Sequence, residues 1–324
     1  MYELSSKIEI GDKTFSRVHQ VNIKKDVAQL MNTATIKIPT TARLVRSGEF
    51  VTEIETAKTF AVGDEARIYL GYDGNLREEF RGFVAKIKPN IPLEIELEDE
   101  TFILKRKNLN KSFRKTNLRE LIEFILSGTG INLVEEIPDI QFDIFYLKNV
   151  SAAKALDKIS KEYGLRIYFT SWKVLYVGLI NENNGEIVKY AMGQNVISNR
   201  LEFVTEDDVK LKVKAISILP DNTKIEVETG DADGEQRTLH FYNIPSKSEL
   251  KIKADSEIVK YKYTGYKGSL TAFLIPVCEY GNIANISDND FPERSGNYLV
   301  NSLEIEFGEN GARRKVEVGI KVNT

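Results

Sequence analysis

Gly63-Asp64-Glu65-Ala66-Arg67-Ile68 stands in the first third of the chain, and Gly281-Asn282-Ile283-Ala284-Asn285-Ile286 answers it near the end. Both read Gly-x-x-Ala-x-Ile. The first is followed, after a turn region, by Gly82-Phe83-Val84-Ala85-Lys86-Ile87, and the second by Gly296-Asn297-Tyr298-Leu299-Val300. A glycine, an alternating apolar run, a turn and a second glycine-led run describe a strand–turn–strand unit. Building that unit twice predicts two related β-domains in one chain.

Outward from the first copy, the sequence reads as strands. Lys7-Ile8-Glu9-Ile10 and Thr14-Phe15 flank Gly11-Asp12, a hairpin signal. Val21-Asn22-Ile23 and Ala34-Thr35-Ile36-Lys37-Ile38 alternate, and Pro39 closes the second. Ala66–Tyr72 and Phe80–Lys88 flank a turn at Asp73-Gly74, and Leu93–Glu98 alternates apolar residues with Glu94, Glu96 and Glu98. From Thr41 to Phe60 the periodicity fails, which predicts a long excursion between strands. Excursions of that length in compact domains are usually functional or disordered.

The next stretch changes period. Asn117-Leu118-Arg119-Glu120 is a capping-box arrangement opening a helix with Leu118, Leu121, Ile122 and Ile125 on one face and Gly128 as its stop. Ser151 opens a second, with Ala152, Ala155, Leu156, Ile159 and Tyr163 on a face and Gly164 at its end. Leu165–Phe169 and Lys173–Val177 follow as a hairpin around Thr170–Trp172. From Asn199 the β period returns, with one more capped helix at Ser246-Lys247-Ser248-Glu249 carrying Leu250, Ala254, Ile258 and Tyr261. A type I′ turn at Asn310-Gly311 predicts a terminal hairpin with Leu303 opposite Val318, Ile305 opposite Val316 and Glu306 opposite Lys315. The expected fold class is mainly β with α+β. Residues 1–106 form a first domain, a β-barrel or sandwich, 107–198 an α+β middle domain and 199–324 a second β-domain of the same kind, with a helix-containing excursion at 231–262 packing with the middle region.

Composition narrows the function classes. The 324 residues suffice for two or three domains, and 42% are apolar, as a chain with real cores requires. A formal charge of −3 gives no strong electrostatic pull toward nucleic acid or anionic lipid. Cys278 is the single cysteine, which excludes an intrachain disulfide and a thiolate cluster. The start carries no secretory pattern and no run approaches a membrane span, so synthesis and folding in a reducing cytoplasm are expected.

No catalytic constellation is readable. His19 and His240 fall in different segments, with neither metal-ligand spacing nor a neighbouring nucleophile. Asp288, Asp290 and Glu293 lack the glycine and later ligand of a calcium loop. Glu94, Glu96 and Glu98 point the same way on one strand, as a solvated face does, and Lys210, Lys212 and Lys214 read as the wet side of another. No catalytic residues, cofactor or metal are expected.

A resemblance enters with Gly265-Tyr266-Lys267-Gly268-Ser269-Leu270, Ile275-Pro276, Phe291–Tyr298 and Phe307–Arg314 in the C-terminal part. Val62-Gly63-Asp64, Leu70-Gly71-Tyr72 and Phe80–Val84 extend it through the first barrel, and Ala152–Leu165 through the middle. These runs resemble bacteriophage baseplate-hub proteins, the late-control-D-like hubs of contractile tails, and are similar to the hub module of type VI secretion spike proteins. The resemblance implies two tail-tube-like barrels per chain and a homotrimer whose six barrels join a sixfold tail tube to a threefold central spike in the virion tail baseplate. It implies as partners the chain itself, a tail-tube protein, a central spike protein and other baseplate proteins. Tape measure and DNA would pass through without specific binding, and no membrane is involved. Leu44, Val45, Phe50, Ile54 and Phe60 in the excursion are the expected interface residues, and Glu94, Glu96 and Glu98 the expected channel lining. The competing classes are a β-rich adhesin or carbohydrate-binding tail module, and a cell-wall hydrolase.

Overall fold

The computed structural model of the chain describes residues 3–46, 49–178 and 185–322. It opens with β1 (Leu4–Ile10), β2 (Lys13–Phe15), β3 (Gln20–Asp26) and β4 (Thr33–Ile38). The excursion is a hairpin of β5 (Thr41–Arg46) and β6 (Glu49–Glu55) with the single turn α1 (Thr56–Thr59). Then come β7 (Glu65–Tyr72), β8 (Asn75–Lys88) and β9 (Leu93–Glu98). The middle holds α2 (Thr101–Arg106), β10 (Asn108–Asn117), α3 (Leu118–Leu126), β11 (Asn132–Leu133), β12 (Gln141–Ser151), α4 (Ala152–Tyr163), β13 (Arg166–Ser171) and β14 (Val174–Gly178). The remainder runs β15 (Ile187–Ala191), β16 (Val196–Val204), β17 (Leu211–Ile218), β18 (Lys224–Gly230), β19 (Glu235–Tyr242) and α5 (Lys247–Tyr261). It ends with β20 (Gly265–Ala272), β21 (Ile283–Ser287), β22 (Gly296–Gly308) and β23 (Gly311–Lys321). The fold is mainly β.

Thirteen of these strands form one sheet in the order β16-β20-β23-β22-β3-β4-β9-β8-β7-β1-β2, with β21 also on β22 and β15 on β21. Period-2 alternation is the cause: Val21, Ile23, Ile36, Leu93 and Ile95 are fully buried while the residues between them face out. One core gathers Ile8, Ile23, Ile36, Ile68, Val84 and Ile95 from six strands; a second gathers Val188, Leu270, Ile286, Val300 and Val316. Each fully buried branched side chain contributes about 1.5–3 kcal/mol. A third core belongs to the middle, where Leu121, Ile125, Leu156 and Ile159 of α3 and α4 pack on Phe142, Leu175 and Val177.

The three expected helix starts are capped as read. Asn117 Oδ1 accepts from Glu120 N (2.9 Å), Ser151 Oγ from Lys154 N (3.3 Å) and Ser246 Oγ from Glu249 N (3.4 Å). The terminal hairpin is shifted by two residues from the expected register. Gly308 pairs with Gly311 across a two-residue loop at Glu309–Asn310, and Gly311 takes a positive φ of +101°. Leu303 therefore faces Val316 and Ile305 faces Arg314. The observed register sets Glu304 opposite Lys315 and Glu306 opposite Arg313, where the expected one opposed Glu304 to Glu317.

Candidate functional site

The doubled motif is the same turn built twice. Gly63 (φ +102°) donates its N–H to Val84 O at 2.8 Å, and Val84 N–H returns to Asp64 O at 2.9 Å. Gly281 (φ +85°) donates to Val300 O at 2.8 Å, and Val300 N–H returns to Asn282 O at 2.8 Å. Asp64 accepts from Ala61 N (2.8 Å) as Asn282 accepts from Glu279 N (2.6 Å). Ala66 and Ala284, then Ile68 and Ile286, enter the two cores fully buried. The second glycines are not equivalent. Gly82 faces Ala66, whereas Tyr298 faces Ala284, so Tyr298 is the counterpart of Gly82 and Gly296 lies two residues earlier.

The strand order repeats as well. The first copy runs β3-β4-β9-β8-β7-β1 across the sheet and the second β16-β20-β23-β22-β21-β15, one permutation of chain order in both. One strand differs in sense: β1 is antiparallel to β7, while β15 is parallel to β21. The copies differ in what interrupts them. The β5–β6 hairpin enters the first between β4 and β7; residues 205–264, with β17, β18, β19 and α5, enter the second between β16 and β20. That insertion packs on the middle core through Ile218, a Tyr163–Tyr242 ring pair and Asp143 N–H on Pro220 O.

The copies are joined edge to edge. β22 continues past β21 and pairs antiparallel with β3 from Ser302–Asp26 to Gly308–Gln20. Ile305 and Ile23, both unexposed, meet on the buried face; Glu304 and Lys24 meet on the other at 3.2 Å, and Asn22 Nδ2 also donates to Glu304.

Beneath this junction lies a buried ion pair. Arg314 (0% exposed) donates to Glu79 Oε1 at 2.8 Å and to Cys278 O at 2.7 Å, and Glu79 is 2% exposed. Glu79 is the extra residue of a bulge, since Tyr69 faces Glu78 and Ile68 faces Phe80. The bulge turns its carboxylate inward from the first copy to meet an arginine of the second. Burial lowers the arginine pKa, but Glu79 and Glu279 outweigh it and hold Arg314 charged. Glu279 itself binds Lys25 (2.8 Å) and Arg77 (3.2 Å) of the first copy. Burial pushes its carboxyl up, yet Lys25, Arg314 and Arg77 hold it below the ordinary glutamate value.

The hairpin β13–β14 wedges against both copies. Trp172 lies between the Phe83 ring and the Arg81 guanidinium of the first copy, 4.1 Å from the latter. Tyr280 of the second copy donates its hydroxyl to Phe169 O and packs on Tyr168. At the same place burial raises Asp99 to about 7, although it accepts N–H groups from Asn32 and Thr101.

The expected site residues are dispersed. β5 pairs with β6, but the side chains of Leu44, Val45, Phe50 and Ile54 lie outside the described residues. Phe60 is buried in the first core, edge-on to Phe15. Glu94, Glu96 and Glu98 share the polar face of β9, but that face is not wholly acidic: Lys88 pairs with Glu94 and Glu96, and Lys105 with Glu98. Lys212 and Lys214 pair with Glu228 and Glu226. Asp288 takes Tyr266 O–H and two backbone N–H groups, a local turn cap. His19 is on the surface, while His240 packs on Gly164, its pKa lowered by burial and Lys224. Among the described residues no group of three His, Cys, Asp or Glu could hold a metal, and no helix is long and apolar enough to cross a membrane. Sequence reading missed Glu79 and Arg314. Arg314 carried a signal, since Ala312, Arg314, Val316 and Val318 share one face of β23.

No protein-family model matches the sequence, and no curated protein matches it. Solved structures do resemble the fold. A 43 kDa tail protein of prophage MuSo2 from Shewanella oneidensis is 14% identical, with a TM-score of 0.65 over 97% of each chain. A tail protein from Neisseria meningitidis is 12% identical, with a TM-score of 0.64 over 99% of this chain and 97% of that one. An Escherichia coli type VI secretion component that itself resembles bacteriophage T4 tail proteins is 9% identical, with a TM-score of 0.63 over 98% of this chain and 77% of that one. From end to end, the chain has the fold shared by these phage tail proteins and this secretion-system component.

Proposed function

We propose that the chain is a structural hub of a phage tail or phage-like injection machine, a homotrimer whose six β-units form a ring between a sixfold tube and a threefold spike. One observation carries this: the same turn and the same six-strand order occur twice and are joined in one sheet. A chain that presents two equivalent edges can make six quasi-equivalent units from three copies, which is the requirement of a tube-to-spike adapter. The fold shared with phage tail proteins supports the setting.

In this ring the polar face shared by β9, β4, β3, β22 and β23 lines the passage. Its charges alternate in sign, Glu94 against Lys88, Lys24 against Glu304 and Glu304 opposite Lys315, so a passing polyanion meets a ladder of paired charges instead of a binding patch. The middle region and the 205–264 insertion, packed together, extend to one side as the spike-facing part. The role is assembly without catalysis. The partners are the chain itself, the tube protein, the spike and neighbouring baseplate proteins. Native mass spectrometry of the full chain, alone and with its tube partner, tests the reading. Three-chain species support it, and a stable assembly of any other number refutes it.

A further inference from the structure

Among the strand edges without a partner in the described pairings, two are the counterparts of the two edges that meet inside the chain. β8 pairs with β7 only as far as Phe83, so Lys86, Ile87 and Lys88 carry an open edge on that side. β22 uses the equivalent edge, from Ser302 onward, to hold β3. β16 is the counterpart of β3 and pairs with β20 alone.

Shared pairings transfer the register from one junction to the other. Val84 faces Leu97 as Val300 faces Val318, and each strand then bulges at its next residue, Ala85 or Asn301. Lys86, Ile87 and Lys88 therefore stand where Ser302, Leu303 and Glu304 stand. On the other side, Leu97 faces Ala34, which faces Ile23; Val318 faces Gly268, which faces Leu201. Glu202, Phe203 and Val204 thus take the places of Lys24, Lys25 and Asp26.

We propose that β8 of one subunit pairs antiparallel with β16 of the next, with Lys88 opposite Glu202, Ile87 opposite Phe203 and Lys86 opposite Val204, and that opposite charge polarity in the two junctions guards against exchange of the intrachain contact for the intersubunit one. This rests on the ring reading above and specifies its contact. Inside the chain the acid is on β22 and the base on β3, Glu304 with Lys24 at 3.2 Å. Between chains the base is on β8 and the acid on β16. The wrong pairings fail on charge: β22 on β16 sets Glu304 against Glu202, and β8 on β3 sets Lys88 against Lys24. Like charges directly opposite destabilise a pair of strands, so swapping the intrachain and intersubunit junctions is disfavoured. Pro89 has no N–H to donate and stops the new ladder after three residue pairs, against seven inside the chain. The intersubunit contact is consequently the weaker one, and the Ile87–Phe203 apolar pair is its centre.

The test is a double variant of the full chain, Ile87→Cys with Phe203→Cys, placing thiols on directly opposed residues within disulfide reach. Native Cys278 is buried, and burial pushes its thiol up to about 11, so it stays unreactive. Mild oxidation is expected to give covalent dimers and closed trimers, absent from either single variant, with a native mass of three chains. A trimeric mass without this disulfide overturns the junction and leaves the ring reading intact. A monomer at every concentration tested, alone and with the tube partner, overturns the ring reading and the junction with it. The polarity is tested by Lys88→Glu and Glu202→Lys. Each is expected to weaken a junction by about three- to fivefold, and the trimerisation constant by roughly 30- to 100-fold over three junctions. Lys88 also bridges Glu94 and Glu96 in its own chain, so the deciding quantity is the coupling between the two substitutions. Trimerisation restored in the double reversal supports the proposal; additive losses overturn it.

Discussion

Removing the Glu79 carboxylate should unfold the two copies together. Arg314 is fully buried, and its bonds run to Glu79, Cys278 O and Leu274 O. Glu79→Ala leaves a guanidinium in the interior with carbonyls as its hydrogen-bond partners and only the more distant Glu279 charge to offset it. Breaking a buried pair in this way costs about 3–5 kcal/mol. Arg314→Ala strands the carboxylate and frees both carbonyls, a loss of the same order. The double substitution Glu79→Leu with Arg314→Met removes both charges and refills the volume, and such replacements of buried pairs are often neutral or stabilising. Urea denaturation of the four proteins, read by far-ultraviolet circular dichroism and by Trp172 fluorescence, closes the cycle. The expected result is two strongly destabilised single variants and a double variant within about 1.5 kcal/mol of the parent, a coupling of at least about 4.5 kcal/mol. Because Glu79 belongs to the first copy and Arg314 to the second, both probes should move together. Single-variant losses below about 1 kcal/mol, or additive losses, would refute the reasoning.

Three further outcomes are expected. Gly164 ends α4 at φ +60°, and a Cβ there would lie 2.4 Å from His240 Nδ1, so Gly164→Ala should cost about 2–3 kcal/mol in urea denaturation, with roughly half recovered in a His240→Ala background; an unchanged midpoint counts against the packing of α4 on the inserted sheet. Glu279 has its pKa held below the ordinary 4.5, so its contribution is complete above that value and disappears as pH falls through the lower folded pKa. The stability gap between the parent and Glu279→Gln should therefore close as pH falls below the ordinary glutamate value, and a gap that widens on acidification contradicts the assignment. Deleting residues 44–56 should abolish trimers or docking to the tube while the first core persists; unchanged mass and assembly removes the hairpin from the interface.

How much of this was legible depends on whether the cause was local. The Gly63 and Gly281 turns could be read because a left-handed residue followed by an Asx acceptor leaves a short signature. Capping at Asn117, Ser151 and Ser246 is equally local, set within four residues. The terminal hairpin differs from the expected one because Gly308 and Gly311 flank the loop, and either a turn at Asn310-Gly311 or one at Glu309-Asn310 suits the composition; tertiary charge pairing at Glu304 and Glu306 decides. The β3–β22 junction joins residues from opposite ends of the chain, and nothing in Val21-Asn22-Ile23 names its partner. The insertion at 205–264 is hidden for a related reason, since Leu211, Val213 and Ala215 alternate just as a strand of the second copy would. Glu79 points inward only because of a bulge, and bulges shift a side chain across the sheet without altering composition. Glu94, Glu96 and Glu98 looked wholly acidic because strand alternation shows one strand's face and conceals the lysines that neighbours bring to it.

Symmetry is the most direct test. Electron-microscopic class averages of the full chain, assembled alone or on its tube, should show a closed ring of about three times the 36.8 kDa chain mass, with six similar lobes around the passage and threefold protrusions on one side. A ring of two, four or six chains, or three chains presenting only three lobes, would contradict the account.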